Sequence, residues 1–203
     1  MAYERLDGSI RMLARTSEGE LAESLSRDGG RTWSEARLSG IANPGSRFFI
    51  SRTPSGRVLL INNDCRTGRT HMTVSLSEDD GVTWTCRKLI DNRNWVSYPD
   101  ADFYGGRIYM TYDRDRLGAK EILFLSFREE DIMDDEKPLC PQTVSRPDGG
   151  GSGPEGTVQL KIQCPPPVSF RRGAFPCCFQ EGLYEAKRSA GAQAIQAPVS
   201  STL

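Results

Sequence analysis

SRDGGRTW, residues 26–33, recurs as SEDDGVTW at residues 77–84, so the pattern Ser-x-Asp-x-Gly-x-Thr-Trp occurs twice in one chain. A short Asp in a tight turn accepts hydrogen bonds from backbone N–H groups just ahead of it and stabilises the loop without a partner strand. Gly30 and Gly81 supply permissive backbone angles, and Ser26, Ser77 and the threonines add local hydrogen bonds. Trp33 and Trp84 open the outgoing strand and are expected to bury a large ring that holds each hairpin in place. Catalytic groups rarely recur once per repeat, so Asp28 and Asp79 are read as structural.

Working outward, LDGSIRMLART (6–16), PSGRVLLINND (54–64) and YGGRIYMTYDR (104–114) align on Gly8, Gly56 and Gly106, 48 and 50 residues apart. Asp28 and Asp79, 51 residues apart, keep the same period. Each copy is a glycine turn followed by an alternating strand, and each adds a second strand in GELAESLS, THMTVSLS and EILFLSFR. No amphipathic helix competes. A period near fifty with up to four short antiparallel strands per unit predicts all-β propeller blades.

Composition narrows the chemistry. Across 203 residues, Lys+Arg 26 against Asp+Glu 27 gives a net charge of -1, which exerts no global pull toward nucleic acid or anionic membrane. Affinity for an anion must come from a local arginine cluster. No apolar run is long enough for a transmembrane helix. MAYERLDGSI lacks the layout of a signal peptide, which reads as cytoplasmic if Met1 is the true start. Cys65, Cys86, Cys140, Cys164, Cys177 and Cys178 show no C-x-x-C spacing, and His71, read as a strand residue, is the one histidine. Zinc and Ser/His/Asp chemistry lack their raw material, and neither metal nor cofactor is expected.

Composition shifts near residue 135. DGGGSGPEG (148–156), CPPP (164–167) and AGAQAIQAPVSSTL carry no sustained period, so residues 135–203 are expected to form a disordered or low-complexity tail. Within it, VQLKIQC (158–164) alternates well enough for an isolated strand.

The two octapeptides resemble the Asp-box, or BNR repeat, of the sialidase (neuraminidase) superfamily of six-bladed propellers. DGSIRMLARTSEGELAESLSRDGGRTWSE, GRTHMTVSLSEDDGVTW and VSYPDADFYGGRIYMTYDRDR follow the order found in the last half of such domains, and the resemblance covers roughly residues 2–134. It implies blades at 1–134 with structural Asp-box residues Ser26, Asp28, Gly30, Trp33, Ser77, Asp79, Gly81 and Trp84. It also implies a retaining exo-glycosidase that releases terminal sialic acids, with arginines on the sugar carboxylate and a tyrosine nucleophile paired to a glutamate. The residue types suit the task. A carboxylate nucleophile would be repelled by the substrate's own carboxylate, whereas a phenol is neutral at rest, and the guanidinium fork binds both carboxylate oxygens.

Carried over by position, the second and third arginines of the family cluster fall on Arg15 and Arg69, and the tyrosine on Tyr98 in WVSYPD. Arg52 and Arg66 are rival arginines, and Pro99-Asp100 replaces the Ser-Leu that usually follows the tyrosine. The first arginine, the acid/base aspartate and the tyrosine's glutamate have no counterpart in the chain; Glu4 matches a second, non-catalytic acidic position. The expectation is a truncated sialidase-like domain of about three of six blades, inactive alone, whose parent acts on sialylated or related acidic glycans. The alternative is a non-catalytic Asp-box protein that binds glycans or is purely structural. Open blade edges predict self-association.

Overall fold

The computed structural model describes residues 1–144 and 160–161. The strands β1 (Ala2–Glu4), β2 (Ile10–Arg15), β3 (Glu20–Ser26) and β4 (Arg37–Ala42) form the first sheet in that order. A second sheet holds β5 (Phe49–Arg52), β6 (Val58–Asn63), β7 (Met72–Ser77) and β8 (Cys86–Asp91). The third holds β9 (Val96–Tyr104), β10 (Arg107–Arg114), β11 (Glu121–Phe127), β12 (Gln142–Val144) and β13 (Leu160–Lys161). Each is an antiparallel meander of sequence neighbours, the consecutive-blade architecture that the repeat predicts. The aligned strands are β2, β6 and β10, each entered through a glycine turn with positive φ at Gly8, Gly56 and Gly106.

Alternation shows how the sheets stack. In β6 every residue is buried, because Val58 and Leu60 join one apolar cluster and Leu59 and Ile61 join another. The first cluster combines them with Tyr3, Leu13, Leu21 and Ile41 of the first sheet; the second combines them with Val96, Ile108, Met110 and Leu123 of the third. The middle sheet is therefore covered on both faces, whereas β2 and β10 alternate between buried and more exposed positions.

Polar groups fasten the first sheet to the second through the turn at 77–84. Tyr3 Oη donates to the Asp80 carbonyl at 2.8 Å, Arg11 Nη1 to the Gly81 carbonyl at 2.6 Å, and Leu6 N–H to Asp80 Oδ2 at 2.7 Å. Arg52 pairs with Asp80 as well. Gly81 has φ +81°, and a Cβ there would collide with Tyr3 Oη, so this position requires glycine twice over.

In both octapeptides the aspartate accepts from the serine hydroxyl two residues earlier, at 2.8 Å, and from the backbone N–H and hydroxyl of the threonine four residues later. These bonds hold the Asp28 and Asp79 carboxyls down at about 2, the threonine hydroxyl contributing most. The tryptophans differ. Trp84 packs against the cluster between the first two sheets, but Trp33, expected to be buried, is 37% exposed. Its indole N–H caps the Gly30 carbonyl at 3.0 Å, and no other sheet among the described residues covers its ring as the first sheet's cluster covers Trp84.

His71 also departs from expectation: it is the left-handed residue, φ +52°, just before β7 rather than part of the strand. Past residue 134, β12 pairs with β11, and β13, inside the VQLKIQC stretch, pairs with β12 rather than standing alone. The rest of the expected tail, residues 145–159 and 162–203, lies outside the described residues. The short α1 (Glu129–Met133) buries Ile132 in the second cluster and is tied to the second sheet by Arg57 and Glu129, 3.1 Å apart. Among the described residues no helix is long and apolar enough to cross a membrane.

Candidate functional site

Arg15 is the last residue of β2, Arg69 lies in the β6–β7 loop, and Tyr98 sits near the start of β9. The fold brings all three together. The backbone of Tyr98 explains how its ring leaves the strand: Ser97 pairs with Asp113 and Asp100 with Thr111, so Tyr98 and Pro99 oppose Tyr112 alone. This is a β-bulge, which re-aims a side chain and tolerates the N–H that proline lacks. Tyr98 has φ +56°, unusual for an aromatic residue and disfavoured before proline.

Two arginines lie against the ring. The Arg69 guanidinium carbon lies 5.4 Å from the ring centroid, and that of Arg116, two residues past β10, lies 3.5 Å from it. The phenol is held below the usual tyrosine range by hydrogen bonding from Arg116, then from Arg15, then by the charges of Arg116 and Arg69. Tyr112, on the other side of the bulge, shows the opposite. It is 2% exposed and donates to Asp91 Oδ2 at 2.9 Å. Burial, then the Asp91 charge, pushes its phenol up.

The competing arginines separate by what they bind. Arg52 is held by Asp80 and the Glu4 and Gly56 carbonyls, and Arg66 by Glu20, so both serve contacts between the first two sheets. Among the described residues, Arg15 and Arg69 form no ion pair with a carboxylate, although Arg69 Nη1 reaches the Ser97 hydroxyl at 3.5 Å. Glu4 is exposed and contributes only its carbonyl to these contacts. A groove of about 410 Å³ runs beside Arg15, walled by Met12, Phe48 and Arg47, and Arg47 in turn pairs with Asp100 at 2.9 Å. Two guanidinium groups without carboxylate partners beside a polarised phenol can receive an anion and present it to an oxygen nucleophile.

Arg116 is the residue that sequence reasoning missed. Its signal was faint: in DRDR (113–116) it follows the third aligned strand much as Arg15 ends the first, but two residues beyond the strand.

A family profile described as BNR repeat-like domain matches residues 2–110. Among solved structures, the chain is similar to an intramolecular trans-sialidase from Ruminococcus gnavus bound to oseltamivir carboxylate, at 23% identity and a TM-score of 0.57 over 66% of this chain and 33% of that one. It is similar to the leech intramolecular trans-sialidase complexed with 2,7-anhydro-Neu5Ac, at 21% identity and a TM-score of 0.56 over 64% of this chain and 23% of that one. A Hadza microbial sialidase matches at 24% identity and 0.56, over 64% of this chain and 27% of that one. The chain thus spans a third or less of the length of these structures, and the likeness is one of fold. No curated protein gives a significant match. From the family match over residues 2–110, more than half of its length, the chain belongs to the BNR repeat-like domain family.

Proposed function

We propose that this chain carries part of an exo-sialidase site, in which Arg15 and Arg69 bind the carboxylate of a terminal sialic acid and Tyr98 is the nucleophile of the whole domain. The observation that carries the reading is the convergence on a bulged tyrosine of two arginines that have no carboxylate partner among the described residues, each delivered by a different sheet. The fork of each guanidinium suits a planar carboxylate, and the surrounding positive charge favours the phenolate that attacks the anomeric carbon. Octapeptides 26–33 and 77–84 act as Asp-boxes, structural staples remote from the chemistry. The relatives' ligands fit this class: one structure holds oseltamivir carboxylate, another 2,7-anhydro-Neu5Ac.

Residues 1–144 supply no counterpart of the family's acid/base aspartate, of the glutamate that activates the tyrosine, or of the remaining arginine. The chain as given should therefore bind a sialic acid weakly and leave a fluorogenic sialoside intact, since a general acid alone contributes about 10²–10⁴-fold. Tyr98→Phe should keep that affinity. Measurable turnover by this chain would contradict the assignment of roles. Retained affinity together with an inactive whole domain would favour a glycan-binding propeller that breaks no bond.

A further inference from the structure

The contact that the family resemblance does not call for is also the closest one on Tyr98. The Arg116 guanidinium carbon is 3.5 Å from the ring centroid, against 5.4 Å for Arg69. One carboxylate braces both sides of this contact: Asp113 Oδ2 accepts from Arg116 Nε, and Asp113 Oδ1 accepts the Ser97 hydroxyl at 2.7 Å. Ser97 directly precedes Tyr98 and is 1% exposed, so its backbone is fixed, and Pro99 restricts the other flank. An aromatic residue at φ +56° before a proline persists only when its surroundings hold it. The other pinned point is Arg69 Nη1, which reaches the same Ser97 hydroxyl at 3.5 Å.

We propose that Arg116 is a positioning residue of the sugar-acid site: braced by Asp113, it covers the Tyr98 ring and fixes the phenol on its bulged backbone with the hydroxyl toward Arg15. The inference rests on the reading of Arg15, Arg69 and Tyr98 given above. A lysine could supply charge but not a planar group that is braced at Nε and spread over a ring at once. Because Arg116 leaves 44% of its side chain exposed, replacing it removes the cover without opening a core.

The groups facing the phenol are Arg15 from β2, Arg69 from the β6–β7 loop, and Arg116 with its Asp113 brace from β10 and the turn after it. Positioning and sugar binding can therefore be read separately in the full chain. Tyrosinate absorbance, taken as the difference between the native chain and Tyr98→Phe, reports the ionisation of Tyr98 alone among 6 tyrosines. In Arg116→Met, or Arg116→Gln if that variant is better behaved, the Tyr98 transition should move to higher pH; Arg116→Lys should fall between. Affinity for N-acetylneuraminic acid should drop about two- to fivefold in Arg116→Met, the loss of one cation–π contact. An unmoved Tyr98 transition in a variant with native circular dichroism overturns the inference. If the transition moves but the native chain binds no N-acetylneuraminic acid, the positioning role stands and the sugar-acid reading fails.

Discussion

Asp28 and Asp79 keep their carboxylates ionised to about 2, well under the ordinary range near 4. A carboxyl depressed in the folded state contributes stability that is complete above its unfolded value and is lost as pH falls through the folded one. Thermal stability should therefore fall between about pH 4 and about pH 2. The double variant Asp28→Asn/Asp79→Asn should melt a few degrees lower at neutral pH and show a shallower fall over that window; a melting curve identical to the native chain's would contradict the staple role. Gly30 and Gly81 hold the same place in the two octapeptides but face different neighbours. A Cβ at Gly30 meets only Trp33 and Ile10 at 3.8 Å and 3.9 Å, whereas at Gly81 it collides with Tyr3 and Arg11. Both alanine variants carry the left-handed penalty of about 1–2 kcal/mol, and Gly81→Ala should cost clearly more in urea unfolding. The sequence could show that both glycines recur. It could not show that one of them is a point of close approach between sheets, because Tyr3 and Arg11 lie 78 and 70 residues away.

At the scale of the strand, the period-2 pattern was enough to locate β2, β6 and β10 and their partners, since alternation and glycine turns are local properties. What the pattern left open was β6, whose continuous burial divides between two clusters. Leu59→Ala and Leu60→Ala should each cost about 2–5 kcal/mol, although their side chains point to opposite faces. A negligible loss for either would mean that one face of the middle sheet is not covered. The candidate site was legible to a similar degree. Arg15, Arg69 and Tyr98 were candidates only through the resemblance to the sialidase superfamily, whereas Arg116 sits in an irregular turn that neither the resemblance nor the repeat singles out. The bulge that turns Tyr98 out of β9 was visible only as an unexpected Pro99, and its consequence depends on the register with β10.

For the whole molecule, the contrast between Trp84 and Trp33 matters most. The second octapeptide is seated on the first sheet through Asp80, Gly81 and Trp84, while the first octapeptide carries Gly29 where the second has Asp80, and leaves Trp33 exposed. An exposed indole beside open strand edges favours association, so sedimentation should show the weight-average mass rising with concentration, and Trp33→Ser should reduce that rise. Strict monomer behaviour at all concentrations would argue against such association. The central claim concerns the arginines, and its most direct test compares N-acetylneuraminic acid with its methyl ester, which lacks the anionic carboxylate, by titration into the full chain. The acid should bind, the ester should not, and Arg15→Met or Arg69→Met should weaken the acid roughly tenfold or more, as expected for loss of a charge-assisted pair. Equal binding of acid and ester, or unchanged affinity in both variants, would contradict it.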